Sequence, residues 1–117
     1  MSTVKFNTWQ NTDGTENYKV RAWVNFNPDS SNAIRASGNV STITDNGVGD
    51  YTVNFENALA DTNYGFAICG GNGATATTNG RTYNQNGAAP TTTAFRYTVK
   101  QENSTIDDNT ACVAIFR

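Results

Sequence analysis

The run Val40-Ser41-Thr42-Ile43-Thr44-Asp45-Asn46-Gly47-Val48-Gly49-Asp50-Tyr51-Thr52-Val53-Asn54-Phe55 decides the fold. Both flanks alternate apolar and polar residues, the period-2 signature of a strand with one buried face. Between them lies a polar segment, Asp45 to Asp50, in which Asn46-Gly47 supplies backbone positions with positive φ at low steric cost. The reading is an antiparallel hairpin with Tyr51, Val53 and Phe55 turned to a core and Thr52 and Asn54 turned away. A lone hairpin cannot bury such a face, so the rest of the chain must supply further strands.

Upstream, Tyr18 to Phe26 is the longest alternating run. Val20, Ala22, Val24 and Phe26 share one face, and Lys19, Arg21, Trp23 and Asn25 the other. Asn27-Pro28-Asp29-Ser30 closes it as a turn, and a short run at Ala33 to Ser37 follows. An earlier strand is expected over Val4 to Trp9, ended by the turn residues Asn11-Thr12-Asp13-Gly14. Downstream, Tyr64 to Cys69 alternates Tyr64, Phe66 and Ile68, and Phe95 to Lys100 reads as another strand. The run Ala111 to Phe116 is apolar on both faces, which predicts a central strand. No stretch reads as a helix of useful length. The spacing of seven or eight short strands predicts an all-β domain, an antiparallel β-sandwich or a jelly-roll-like barrel. Residues 1–17 read as an N-terminal strand or docking arm and residues 18–117 as one sandwich domain.

Composition agrees. The chain has 117 residues, of which 37% are hydrophobic, 11% aromatic and only 15% charged. Disordered chains are poor in aromatics and rich in charge; here Asn, Thr, Gly and Ser fill the gap, as short strands joined by polar loops require. The net charge is −2, with no cluster of Lys or Arg, so neither a nucleic-acid nor an anionic-membrane partner has electrostatic support. No apolar run is long enough for membrane insertion. The start, Met1-Ser2-Thr3-Val4-Lys5-Phe6, lacks the basic-then-apolar pattern of a secretory leader, so synthesis in a cytosol is expected, with exit by a route such as lysis.

Histidine is absent, which removes Ser–His and Cys–His catalysis. The carboxylate pairs Asp45/Asp50 and Asp107/Asp108 fall in expected turns, where Asp accepts backbone N–H groups, and the spacing after Asp45 lacks the bidentate Glu of a calcium loop. Gly70-Gly71-Asn72-Gly73 lacks the lysine of a phosphate loop. No enzyme, metal site or cofactor is expected. Cys69 and Cys112 read as two buried thiols near strand ends; pairing requires a proximity that sequence does not give. The sequons Asn39-Val40-Ser41 and Asn103-Ser104-Thr105 are expected by chance in so Asn-rich a chain.

Two regions stand out as candidate contact sites. Gly70 to Thr93 is a long polar stretch, unusual in a compact domain, in which Asn72, Asn79, Arg81, Tyr83 and Asn84 form a candidate receptor-binding loop; its plainer reading is a spacer with one weak strand near Arg81 to Asn84. Val4, Phe6, Trp9 and Trp23 form a candidate subunit interface. Trp23, on the polar face of its strand, admits three readings: burial against the N-terminal strand, a neighbouring subunit, or a platform for stacking a sugar.

The segment Arg21-Ala22-Trp23-Val24-Asn25-Phe26-Asn27, the run Ala33 to Phe55 that contains Ile43-Thr44-Asp45-Asn46-Gly47, and the opening Val4 to Gly14 resemble a small domain found repeatedly in tail-fibre-like and other virion structural proteins of aquatic phages, including cyanophages. The chain departs from that pattern at Pro28-Asp29-Ser30-Ser31, where the family has a Gly-rich turn, and after Asp61. The resemblance implies a rigid β domain, assembled as a homotrimer and located on a virion. Its expected function is a tail-fibre or tail-tip component in host attachment, with other virion proteins and a host surface glycan as partners. The alternative is a capsid decoration protein that cements the head shell, which a short free-standing chain favours; a carbohydrate-binding module is the further alternative.

Overall fold

Alternation along the chain becomes two facing sheets. The computed structural model of the protein describes residues 2–15, 17–71, 81–85 and 88–117. Among them are nine strands and no helix: β1 Val20–Asn27, β2 Ala33–Gly38, β3 Val40–Gly47, β4 Asp50–Phe55, β5 Gly65–Gly71, β6 Arg81–Gln85, β7 Ala94–Gln101, β8 Ser104–Thr105 and β9 Thr110–Phe116. One sheet has the order β2-β1-β9-β5 and the other β3-β4-β7-β6, with β8 added to β7. Every pairing is antiparallel, and the two sheets pack as a β-sandwich.

On β1 and β4 the inward residues come from the predicted faces, except Val20, which is half exposed where the β1–β9 ladder is irregular. Ala22, Val24 and Phe26 of β1 meet Tyr51, Val53 and Phe55 of β4 across the core, joined by Phe95, Tyr97 and Val99 of β7 and by Ala111, Val113 and Ile115 of β9. Phe26 meets Tyr51 edge-on at 5.5 Å, and Phe66 lies over Phe95 at 4.5 Å, so aromatic contacts bridge the two sheets. β9 is central, between β1 and β5. Its apolar residues at both faces follow: Val113 sits in the core, while Cys112 and Ala114 are half-buried on the outer face.

The chain passes from one sheet to the other at Asn39, which adopts φ 54°. Asparagine tolerates this left-handed conformation better than other non-glycine residues. Its side chain is occupied: Nδ2 donates to the carbonyls of Arg21 and Asn57, each at 3.1 Å, and Oδ1 accepts from the Asn57 N–H at 2.7 Å. Asn39 thus ties β1 to the segment after β4, and the first sequon asparagine is a structural corner.

Three sequence expectations are corrected. Val4 to Trp9 forms no strand: apart from one bridge residue at Gln10, residues 2–15 and 17–19 lie outside both sheets. Alternating apolar residues there have no neighbouring strand with which to pair, and pairing is what makes a strand. The first of the three readings of Trp23, burial against an N-terminal strand, goes with it. In the β3–β4 hairpin the ladder continues to Gly47↔Asp50, so the turn narrows to Val48-Gly49 within the expected Asp45–Asp50 segment, and positive φ falls at Gly47 and Gly49 rather than at Asn46. Finally, two of the four paired carboxylates are not simply solvated turn residues: Asp50 starts β4 and accepts two bonds from Arg96, at 2.9 and 2.8 Å, and Asp108 is fully buried, while Asp45 Oδ1 accepts the Gly47 N–H at 2.9 Å as expected of a turn.

Candidate functional site

The N-terminal arm carries three of the four predicted interface residues. Val4 is 81% exposed, and Phe6 and Trp9 are about half exposed, with their rings 6.2 Å apart. A small loop gives the arm its shape. Asn11 N–H donates to the Thr15 carbonyl, Gly14 N–H returns to Asn11, and Asn17 N–H bonds the Trp9 carbonyl at 2.7 Å. Gly14 adopts φ 87°, as the predicted Asn11–Gly14 turn requires. At the root, Lys19 Nζ lies 5.3 Å from the centre of the Phe6 ring and donates to the Asn7 carbonyl at 3.3 Å. Phe6, Trp9 and Lys19 therefore form a cationic-aromatic knot outside the sandwich core.

Trp23, the fourth interface residue, is 43% exposed on the outer face of the β2-β1-β9-β5 sheet. Its indole lies across Gly38 of β2, where any side chain would meet Nε1 at 2.4 Å. On the other side its strand neighbours step down to small residues, because Trp23 is opposite Ala114 and Ala114 is opposite Ala67. The next row is Asn25, Cys112 and Cys69. The height difference between the indole and this floor opens a shallow, mostly apolar depression of about 310 Å³. Sequence reading placed Trp23 on this face but missed the trough, whose floor depends on register between strands far apart in sequence.

The candidate receptor loop is only partly brought together. Asn72 and Asn79 lie outside the described residues. Arg81 and Asn84 are placed by backbone in β6, opposite Gln101 and Thr98. Tyr83 is half-buried, and its hydroxyl donates to Asp108 Oδ2 at 3.2 Å. Gly70 fits closely over this pair: a Cβ there would lie 3.1 Å from both oxygens and 2.5 Å from the Thr110 carbonyl. Tyr83 thus points its polar end into the domain, and only the remainder of its ring is open to a ligand.

Beside this pair lies a polar knot that sequence reading did not assemble. Asp107 Oδ1 accepts the Gly49 N–H at 2.8 Å and the Tyr51 hydroxyl. Burial, and then the neighbouring Asp107, push the Tyr51 hydroxyl well above the usual phenol range. The result is a protonated donor that holds the β3–β4 turn against the segment before β9. The adjacent Tyr97 is completely buried, and its hydroxyl has no hydrogen-bond partner among the described residues. Past the far end of β9, Arg117 makes two bonds to Asp61, at 3.0 and 2.6 Å, and these hold the Asp61 carboxyl below the usual carboxylate range. Among the described residues no three His, Cys, Asp or Glu side chains converge as metal ligands, and no helix is long and apolar enough to cross a membrane.

Comparison of the chain with protein-family models, with curated proteins and with solved structures finds no match.

Proposed function

We propose that this chain is a structural β-sandwich module of a bacteriophage particle, a tail-fibre or tail-tip component engaged in host attachment, docked through its N-terminal arm. The observation that carries the reading is the placement of Val4, Phe6 and Trp9 outside the sandwich, unshielded by the core. Clustered exposed aromatics of this kind are enriched where proteins meet. The resemblance of Arg21 to Asn27 and Ala33 to Phe55 to phage virion domains points the same way. Antiparallel pairing along both sheets suits a structural part, and a homotrimer would bring three such arms into one assembly.

Gold-labelled antibody on purified phage particles tests this proposal. Label at the tail supports attachment. Label over the head makes the protein a shell decoration, held by the same arm, and absence of label from every particle overturns both. The triple substitution Val4→Ser, Phe6→Ser, Trp9→Ser separates docking from folding: incorporation is lost while the near-ultraviolet dichroism of the sandwich is retained. Undiminished incorporation would remove the arm from the proposal.

The exposed Trp23 beside an apolar trough favours one further reading, contact with a saccharide whose ring face stacks on the indole. In a Trp9→Phe background, quenching of Trp23 emission by soluble host-surface glycan would support it.

A further inference from the structure

Cys69 and Cys112 stand directly opposite each other on neighbouring antiparallel strands, β5 and β9. Alternation puts both on the outer face of the sheet, in the row that begins with Asn25. Cα atoms of directly opposed residues are about 4.5 or 5.5 Å apart, depending on the hydrogen-bonding position. Both values lie within the roughly 4.4–6.8 Å that a disulfide spans. Both thiols are free, with Cys69 exposed and Cys112 half-buried. Among the described residues β5 is an edge strand paired with β9 alone, so it is freer to adjust to a bond than a central strand.

We propose that Cys69 and Cys112 are a built cross-strand modification site that closes to an intramolecular disulfide when the protein meets a small-molecule disulfide such as oxidised glutathione. The inference rests on strand register and is independent of which particle, if any, carries the protein. The exposed Cys69 thiolate attacks one sulfur of the oxidant, forms a mixed disulfide and expels one glutathione thiolate, which takes up a proton. The Cys112 thiolate then attacks the Cys69 sulfur, breaks the mixed disulfide and releases the second glutathione as a thiol. Two protein thiols are oxidised, and one small disulfide is reduced to two thiols. The order follows from access. Burial, and then Cys69 beside it, push the Cys112 thiol up, so Cys112 is the weaker first nucleophile and the better-placed resolving one. The bond would fasten edge strand β5 to the central strand just before Gly70 and Gly71, where the long polar stretch begins.

The test incubates the full chain with oxidised glutathione and follows intact mass and maleimide labelling. Wild-type protein is expected to lose two hydrogen atoms, carry no glutathione, label at neither cysteine and run as a monomer on a non-reducing gel. Cys112→Ser is expected to stop at the mixed disulfide and retain one glutathionyl group on Cys69, with the dichroism of the fold unchanged. Reduction by dithiothreitol should restore both thiols. A stable glutathionyl adduct on the wild-type protein, full maleimide labelling after oxidation, or a disulfide-linked dimer would each overturn the proposal.

Discussion

The indole of Trp23 occupies the space into which a side chain on Gly38 would project. The two residues face each other across the β1–β2 ladder, so the exposed aromatic of one strand is seated by the missing side chain of its neighbour. Gly38→Ala would bring a methyl group to 2.4 Å from Nε1, and the ring must lift from the sheet. Because Trp23 is part-exposed, the ring has room to move, and the cost should be about 1 kcal/mol, at the lower end for overpacking. In a Trp9→Phe background, Gly38→Ala should shift Trp23 emission to the red while leaving the far-ultraviolet spectrum unchanged. An unshifted spectrum would mean that the ring does not rest on Gly38.

Gly49 is the opposite case. Its φ is 66°, and a Cβ would lie 2.6 Å from the Ile106 carbonyl and 2.7 Å from the Val99 carbonyl. The Val99 carbonyl is held by the Ile106 N–H at 3.2 Å, and Val99 N–H bonds the Gly49 carbonyl at 2.8 Å, so this backbone resists moving away from a side chain at 49. Gly49→Ala should therefore cost about 3 kcal/mol or more in urea unfolding, combining backbone strain with overpacking. Gly47→Ala is the control. Gly47 has φ 137° but nothing within 4 Å of its Cβ position, so it tests strain without collision and should cost less. Equal losses at the two sites would refute the collision argument.

The buried Asp108, in the segment before β9, accepts a hydrogen bond from the Tyr83 hydroxyl at 3.2 Å. A hydrogen bond of this kind contributes roughly 0.5–1.5 kcal/mol net. Tyr83→Phe should therefore destabilise the domain by about 1 kcal/mol despite keeping the ring. If Tyr83 instead serves mainly as a surface contact, Tyr83→Phe will unfold at the wild-type midpoint.

Tyr83 and the hairpin also show where sequence reading reached its limit. Strands β1 and β4 were legible because each carries a two-residue apolar period long enough to define a face, and β9 because its continuous apolar run marks a central strand. Their inward residues, Val24, Phe26, Tyr51, Val53 and Val113, are the core. Within the expected Asp45–Asp50 segment, the turn settles at Val48-Gly49 because Gly49 is held by Val99 and Asp107 and lies against Ile106, contacts that no local propensity encodes. Asp108 was misread for the same reason. In the string Asp107-Asp108-Asn109 it looks solvated, and only the return of β6 places Tyr83 against it. The arm was misread in the other direction, since Val4 and Phe6 have strand chemistry without a strand beside them. Of the candidate contact residues, Trp23, Phe6 and Trp9 were legible as surplus aromatics, while the Cys69–Cys112 apposition required the β5–β9 register.

Tyr97 carries the sharpest test of the core. Its ring packs between Tyr51 and Phe95, at 5.8 and 6.3 Å, but its buried hydroxyl is unpartnered among the described residues. An unsatisfied buried hydroxyl costs about 1–3 kcal/mol, so Tyr97→Phe should raise stability at neutral pH by about 1 kcal/mol, provided the ring keeps its place. The same burial, and then the neighbouring Tyr51, push the Tyr97 phenol well above its ordinary value of 10.0. A folded-state pKa above the unfolded one means that the native state holds its proton more tightly. The contribution is complete below pH 10 and drains away above it, at about 1.4 kcal/mol per pH unit for a single such group. Tyr97→Phe removes this loss, so its advantage over wild type should widen between pH 9 and pH 11. Tyr51→Phe should flatten the same alkaline limb but begin from a lower neutral stability, because it gives up the bond to Asp107. Urea unfolding of the three proteins at neutral and alkaline pH decides the matter: a Tyr97→Phe protein less stable than wild type at pH 7 would show that the hydroxyl has a partner, and parallel alkaline limbs would show that Tyr97 does not titrate out of range.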